Sequence, residues 1–382
     1  MELIPHVRVR AGVLASLLGL CVLGTALAPA GAAAAPAALK YRFEGIDLPE
    51  YALLEAVGLN NKGEVALNAA TSFFTEVNPS IYSQGTFTSV ADRFRFLHGI
   101  NDRGDLIGQG LDRNRAWLWR DGQMIDLRTT LGSAVSDGVA VAINNQGQVT
   151  GTMRPQFSDF DQGFVYDGNV SRYLEMPSNR GVTPWDINEH GVVAGQFEQP
   201  GHIEGEYLGF VHDGTRATVL PTLGGPYSYA YGINDAGQAV GHSFTASSPD
   251  TIGYLYSDGV MTPLPGVNIA RDINNHGWIV GYGGRGETEA VLLRDGELIY
   301  LNDLIPNEVA AHWRLRDATA INDRGQIIGS ALFLDSGQLR PFLMTPVPEP
   351  AEWMLLLAGL GVVGAVAARR KGSSCQSMAA PV

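Results

Sequence analysis

The residues best suited to chemistry in this chain are asparagines, aspartates and glutamates that recur in a nine-residue motif. One copy, INNQGQVTG, runs from Ile143 to Gly151, and six similar copies occur along the chain. In each copy Asn is followed by Asn, Asp or Glu, whose side-chain oxygens are ligands that Ca²⁺ prefers. No copy, however, matches an EF-hand loop or a glycine- and aspartate-rich calcium repeat. We therefore predict no metal site and no cofactor, and we attribute the motif to turn formation.

Catalytic motifs are equally scarce. The eight histidines are scattered, and neither His-Glu-x-x-His nor Gly-x-Ser-x-Gly occurs. A carboxylate pair for glycoside hydrolysis depends on spatial separation rather than on sequence spacing, so that alternative stays open. We predict no catalytic residue and a protein that is not an enzyme.

The motif copies follow one another at an average spacing of about 44 residues, which is typical of a repeat architecture. The Asn side chain can bond the backbone ahead of it, and a glycine three residues later suits a left-handed backbone conformation. Apolar residues flank the turn on both sides, so each copy predicts a hairpin between two strands. The turn asparagines are Asn60, Asn101, Asn144, Asn188, Asn234, Asn274 and Asn322, and the turn glycines are Gly63, Gly104, Gly147, Gly191, Gly237, Gly277 and Gly325.

A second hairpin follows in each unit, and Asp-Gly or a similar turn marks it, as in AWLWRDGQMIDL from Ala116 to Leu127. Two hairpins give four strands, which matches one blade of a β-propeller. The last unit lacks a fourth strand, whereas YRFEGIDLP, from Tyr41, precedes the first unit and is a spare strand. We therefore predict an all-β, seven-bladed β-propeller over residues 38–346, closed by the N-terminal strand. An open β-solenoid is the alternative.

The repeats also resemble the HAF extracellular repeat family. The segment Gly209–Gly241 combines the hairpin sequence GFVHDG, a Leu-Gly-Gly step and the hairpin INDAGQAVG. The resemblance covers most of residues 50–345. It implies an exported protein and does not imply a reaction.

The N-terminal residues 1–37 are typical of a secretory signal peptide. Arg8 and Arg10 precede an apolar run, and a stretch of small residues follows it, which predicts cleavage around Ala32 to Ala37. At the other end, residues 347–371 contain Pro-Glu-Pro, an apolar segment long enough to form a short transmembrane helix, and a basic cluster. Residues 372–382 form a short tail.

The C-terminal segment resembles the PEP-CTERM sorting signal of Gram-negative bacteria that make exopolysaccharide. The resemblance implies that a membrane protease, exosortase, recognises and removes the tail. It also implies that the C-terminal helix holds the precursor in the inner membrane before this cleavage. The processed protein is then secreted or displayed at the cell surface. The residues that match the signal are Pro348, Glu349, Pro350, Arg369, Arg370 and Lys371.

The formal net charge of −13 argues against a nucleic-acid partner, which needs a basic face. A second glycine lies seven residues after the asparagine in six of the seven copies, and the first copy has Leu67 there. The loops after this glycine vary most, and variable loops on a constant scaffold often bind ligands. We expect a non-catalytic envelope or matrix protein that binds exopolysaccharide, with a polysaccharide-acting enzyme or a protein–protein scaffold as alternatives. The candidate ligand-binding residues are Phe157, Phe160, Phe197, Tyr207 and Phe244.

Overall fold

The computed structural model describes residues 40–71, 76–111, 115–131, 134–199, 206–246, 248–284 and 286–347. The predicted signal peptide lies outside these residues. So do the Pro-Glu-Pro sequence, the predicted transmembrane helix and the basic cluster of the tail. Within the described ranges, no helix is both long and apolar enough to cross a membrane.

The described residues form 28 strands in seven four-stranded antiparallel sheets, which are the seven blades of a β-propeller. Blade 1 contains β2 Leu53–Leu59, β3 Val65–Ala70, β4 Val77–Ser83 and β5 Thr86–Ser89, and blade 2 contains β6 Phe94–Ile100, β7 Leu106–Gly110, β8 Ala116–Arg120 and β9 Gln123–Asp126. Blade 3 contains β10 Val135–Ile143, β11 Val149–Pro155, β12 Gln162–Tyr166 and β13 Ser171–Tyr173, and blade 4 contains β14 Thr183–Ile187, β15 Val193–Glu198, β16 Tyr207–His212 and β17 Ala217–Val219. Blade 5 contains β18 Gly224–Ile233, β19 Ala239–Thr245, β20 Ser248–Ser257 and β21 Val260–Pro263. Blade 6 contains β22 Val267–Ile273, β23 Ile279–Gly284, β24 Thr288–Arg294 and β25 Glu297–Tyr300. Blade 7 contains β26 Trp313–Ile321, β27 Ile327–Phe333, β28 Gln338–Pro346 and β1 Tyr41–Gly45. Short helical turns occupy Leu127–Thr130, Leu301–Leu304 and Asn307–Ala310 (α1).

The N-terminal strand closes the ring, as the spare-strand argument predicts. Strand β1 pairs antiparallel with β28, so that Tyr41 lies opposite Pro346 and Gly45 opposite Phe342. The pairing continues past the strand end, because the Val347 amide donates to the Lys40 carbonyl at 2.9 Å. The last blade is thereby completed to four strands, and the alternative of an open solenoid is wrong.

Seven apolar clusters fill the spaces between adjacent blades. The cluster between the last and first blades, for example, joins Ile328 and Leu343 of blade 7 to Val65 and Leu67 of blade 1. Because the domain has no disulfide-forming cysteine between residues 38 and 346, this apolar burial is the main source of its stability.

The turn asparagines form a closed circle of hydrogen bonds at the propeller axis. The side-chain Nδ2 of each Asn donates to the backbone carbonyl of the Asn in the next blade, and Asn322 donates to Asn60 across the closure at 2.9 Å. The seven distances lie between 2.8 and 3.2 Å. Each Asn side chain is almost fully buried. We call this set the inner circle.

A second circle runs through the residues that follow the turn asparagines. The backbone N–H of each one donates to a side-chain oxygen of its counterpart in the next blade, at 2.6 to 2.9 Å. The seven residues are Asn61, Asp102, Asn145, Glu189, Asp235, Asn275 and Asp323. This outer circle explains why Asn, Asp or Glu occupies the position in each copy, since the contact requires a side-chain oxygen acceptor.

Within each turn the glycine has the expected left-handed conformation, with φ between 71° and 83°. The second glycine of the motif, seven residues after the turn asparagine, is required for a different reason. At Gly241 a Cβ atom would lie 1.7 Å from the Tyr229 carbonyl oxygen on the paired strand. The inner strand, which carries Tyr229, bends at this point. In every blade the inner strand has a β-bulge three residues before the turn asparagine.

Replacement of Asn322 by alanine tests the inner circle. The change removes bonds from Nδ2 to Asn60 and Gln326, and from the amides of Arg324 and Gln326 to Oδ1. We expect the free energy of unfolding to fall by about 3 kcal/mol, because each buried hydrogen bond contributes about 1 kcal/mol and the abandoned groups lose their partners. Urea unfolding measures the change.

The matched control is Asn169→Ala in the exposed turn between β12 and β13, where we expect a change below about 0.5 kcal/mol. Equal losses in the two variants would show that the inner circle contributes nothing specific to stability.

Candidate functional site

The antiparallel order of the strands gives the propeller two different faces. The inner strand of each blade ends at its Asn turn, and the third strand runs in the same direction as the first. The Asn turns therefore lie on one face, which we call the turn face. The beginnings of the inner strands and the loops between second and third strands lie on the opposite face, which we call the loop face.

A cavity of about 950 Å³ opens among the inner strands on the loop face. Four of its lining residues are bulge residues of consecutive blades, namely Trp185, Tyr231, Arg271 and Thr319. The bulge places an extra residue on the inner edge of the strand, which here faces the axis. The volume lies within the range of small-ligand pockets.

One wall of the cavity is aromatic. Trp185 remains 39% exposed, and its indole N–H donates to Gln196 Oε1 at 3.1 Å, which fixes the ring. The ring of Tyr231 stands edge-on to Trp185, with 5.8 Å between the ring centres. Behind it, His242 stacks on Tyr231 at 5.5 Å and on Tyr229 at 4.6 Å.

These rings are uncharged near neutral pH. Burial raises the pKa of Tyr231 to about 12, although the nearby Arg271 acts in the opposite direction. Burial, assisted by Arg271, lowers the pKa of the His242 imidazole to about 4. The wall therefore presents apolar ring faces to anything that enters the cavity.

The charged part of the cavity is an ion pair between Arg271 and Asp317. Both the Nε and the Nη2 of Arg271 donate to Asp317 Oδ2, at 3.2 and 3.0 Å. The guanidinium also lies 5.7 Å from the Tyr231 ring centre and 5.5 Å from that of Tyr282. Burial raises the pKa of Asp317, and Arg271 opposes that shift.

Two further carboxylates, Asp186 and Asp272, lie near the axis two residues before their turn asparagines. Asp186 accepts the amides of Ile187 and Ile233, and Asp272 accepts those of Ile273 and Ile321. Each therefore ties its own blade to the next. Burial raises the pKa of Asp186 to about 6. Burial together with the charge of Asp186 raises the pKa of Asp272 to about 7.

The turn face has a smaller depression of about 180 Å³, lined by the two hydrogen-bond circles and the apolar residues before them. One side-chain oxygen of each outer-circle residue accepts a bond from a neighbouring blade. Among the described residues, no group of three or more His, Cys, Asp or Glu side chains is arranged to hold a metal ion.

The five aromatic residues predicted to bind ligand do not form one site. Phe157 is 97% exposed, whereas the guanidinium of Arg180 lies over the Phe160 ring at 4.4 Å. Tyr207 packs beside Tyr229, and Phe244 packs against Tyr227.

The prediction for Phe197 is wrong. Its side chain is 2% exposed and packs edge-on against Phe210 in the core of its blade. It lies near the end of a strand rather than in the following loop, and it faces inward.

Sequence reasoning missed Trp185, Tyr231, Arg271 and Asp317. For the first three the available signal is the position three residues before each turn asparagine, where the seven copies have Val, His, Val, Trp, Tyr, Arg and Thr. Such variation within a constant motif indicates a position that the scaffold leaves free. Asp317 lies five residues before its turn asparagine and has no such signal.

The buried carboxylates predict a stability that depends on pH. Because the folded state holds these protons to higher pH than the unfolded chain, the stabilising contribution is complete below about pH 4. It is lost as the pH rises through about 6 and 7, the folded pKa values.

In Asp186→Asn we expect the pKa of Asp272 to fall, because a neighbouring negative charge is removed.

Carboxyl ¹³C NMR of aspartate-labelled protein measures that pKa. The exposed variant Asp258→Asn should leave it unchanged. An unchanged Asp272 pKa in Asp186→Asn would mean that burial alone sets it.

The chain is similar to three solved structures, the first of which agrees with the propeller fold. The β-propeller domain of the Trilobed protease from Pyrococcus furiosus aligns with a TM-score of 0.50 at 10% identity, over 78% of this chain and 98% of that chain. TolB from Acinetobacter baumannii aligns at 14% identity and a TM-score of 0.39, over 56% and 55% of the two chains. A gluconolactonase from Xanthomonas campestris aligns at 12% identity and a TM-score of 0.38, over 80% and 90%.

No curated protein matches this chain. A family model, the PEP-CTERM protein-sorting motif, matches residues 346–371, the segment predicted to be a sorting signal. The match begins at the last residue of β28. The motif implies an exported protein that is processed by exosortase, and in this chain it directly follows a closed seven-bladed propeller.

Proposed function

We propose that this exported propeller is a non-catalytic protein of the cell envelope or extracellular matrix that binds exopolysaccharide in its loop-face cavity. The observation that carries the proposal is the combination of an aromatic wall and a fixed ion pair in one cavity of about 950 Å³. Sugar rings have apolar C–H faces and polar hydroxyl edges, so a binding site for them needs both kinds of surface.

The geometry supports each half of this recognition. The exposed face of Trp185 offers a platform for a sugar ring, since its indole N–H is already bonded to Gln196. Arg271 retains N–H groups that are not directed at Asp317 and can donate to hydroxyl oxygens. Leu53 and Leu339, both exposed, extend the apolar lining toward blades 1 and 7.

The export signal supports the proposed location. A chain with a PEP-CTERM motif meets polysaccharide outside the cytoplasm, and the resemblance of its repeats to HAF extracellular repeats points the same way. A Gram-negative host and a precursor anchored in the inner membrane are part of this proposal.

A polysaccharide-acting enzyme is the second candidate, and Asp186 and Asp272 favour it because their raised pKa values are typical of acid–base groups. Their hydrogen bonds favour a structural role instead. Each carboxylate accepts two backbone amides, one of them from the next blade, which accounts for its position without a substrate.

Replacement of Trp185 by alanine tests the proposal. The exported protein would be incubated with exopolysaccharide purified from the producing cells, and binding followed by co-sedimentation. We expect the wild type to bind saturably and Trp185→Ala to bind about tenfold more weakly, since loss of an aromatic stacking partner costs about 1.4 kcal/mol.

The matched control is Phe157→Ala, which removes an aromatic ring from a loop. Loss of binding in Phe157→Ala but not in Trp185→Ala would move the site to the loops. New reducing ends in the same samples would support the enzyme. If the wild type neither bound nor cleaved the exopolysaccharide, both sugar hypotheses would be refuted and a protein scaffold would be favoured.

A further inference from the structure

The charged side chains that line the cavity are one arginine and two acids. They are Arg271 of blade 6, Asp317 of blade 7 and Glu55, which is exposed in the adjacent blade 1. Arg95 lies 5.6 Å from the centre of the Phe96 ring but is not itself part of the lining. The lining therefore has more negative than positive charge, in a protein that is acidic as a whole.

One edge of the Arg271 guanidinium is not available to bind a carboxylate. A guanidinium binds a carboxylate best through two parallel N–H groups on one edge. In Arg271 the Nε and Nη2 N–H groups of one edge both point to Asp317 Oδ2. The other edge, formed by Nη1 and the second Nη2 N–H, stays free, and the Asp317 carboxylate, whose Oδ2 lies 3.2 Å from Nε, offsets its positive charge.

The pair is also held in place. The rings of Tyr231 and Tyr282 lie within 5.7 Å of the guanidinium carbon. Asp317 Oδ1 is buried and has no hydrogen-bond partner among the described residues, so the side chain has no competing interaction that would draw it away from Arg271. An incoming acidic sugar would have to displace this carboxylate or approach it closely.

We propose that the cavity selects uncharged saccharides and that Asp317 is the specificity-determining residue that excludes uronate-containing chains. Neutral hydroxyls can accept from the free N–H groups of Arg271 while the sugar face stacks on Trp185. A uronate carboxylate would meet the negative charge of Asp317 and that of Glu55 in the next blade. This inference rests on the proposed function, because it defines the class of sugar for the same cavity.

The test uses one oligosaccharide, prepared from the exopolysaccharide, in two chemical forms. In the first form its carboxyl groups are reduced to alcohols, and in the second its primary alcohols are oxidised to carboxylates. We expect the exported wild-type protein to bind the neutral form at least about tenfold more tightly. In Asp317→Asn this preference should fall by about tenfold, because a charge a few ångströms away is removed.

Two further variants complete the design. Glu55→Gln, at an exposed position, should weaken the preference in the same direction. Asp258→Asn makes the same charge change as Asp317→Asn in the β20–β21 turn on the turn face and should leave the preference unchanged. The difference between wild type and Asp317→Asn should diminish at high salt.

The outcomes separate the two proposals. Wild-type binding of the oxidised form as tightly as the neutral form would overturn the inference and leave carbohydrate binding intact. An unchanged preference in Asp317→Asn, with the Asp317→Asn protein folded by circular dichroism, would also overturn it. Failure of the wild type to bind either form would overturn the proposed function itself.

Discussion

The interaction on which the structure depends is the hydrogen bond from one turn asparagine to the next. A blade cannot form this bond alone, because the acceptor is the backbone of its neighbour. The seven bonds form a closed circle only when all seven blades are present and the last one meets the first. The circle is therefore complete only in the closed ring. The apolar clusters between blades supply most of the stabilisation, and the polar circle sets the register in which they pack.

The chain separates its constant and variable residues by face. On the turn face each motif repeats Asn, Gly and an oxygen-bearing residue, because their bonds to neighbouring blades allow few alternatives. On the same inner strands, the bulge places one side chain per blade outside the two hydrogen-bond circles. Trp185, Tyr231 and Arg271 occupy three of these positions. The same local device thus explains the second glycine of the motif and the composition of the cavity.

Much of the fold was predictable because its signals are local. The turn glycines, the hairpins and the spare strand at Tyr41 can all be recognised within a few residues, and together they predict seven closed blades. The cavity was not predictable in this way. Arg271 and Asp317 are 46 residues apart and meet only because neighbouring blades lie side by side. Phe197 follows the same sequence pattern as an exposed aromatic, and only the register of β15 shows that its ring faces the core.

The two ends of the propeller leave it together. Lys40 and Val347 are hydrogen-bonded on the turn face, and the next residue in the sequence is the first proline of the Pro-Glu-Pro sequence. A protein held by its tail would therefore present the loop-face cavity away from the attachment point. Tension between a bound polymer and the tail would run along the axis of β28. Its hydrogen bonds to β27 and β1 would then be loaded simultaneously in shear rather than broken one at a time, which makes the closure of the ring its mechanical clamp.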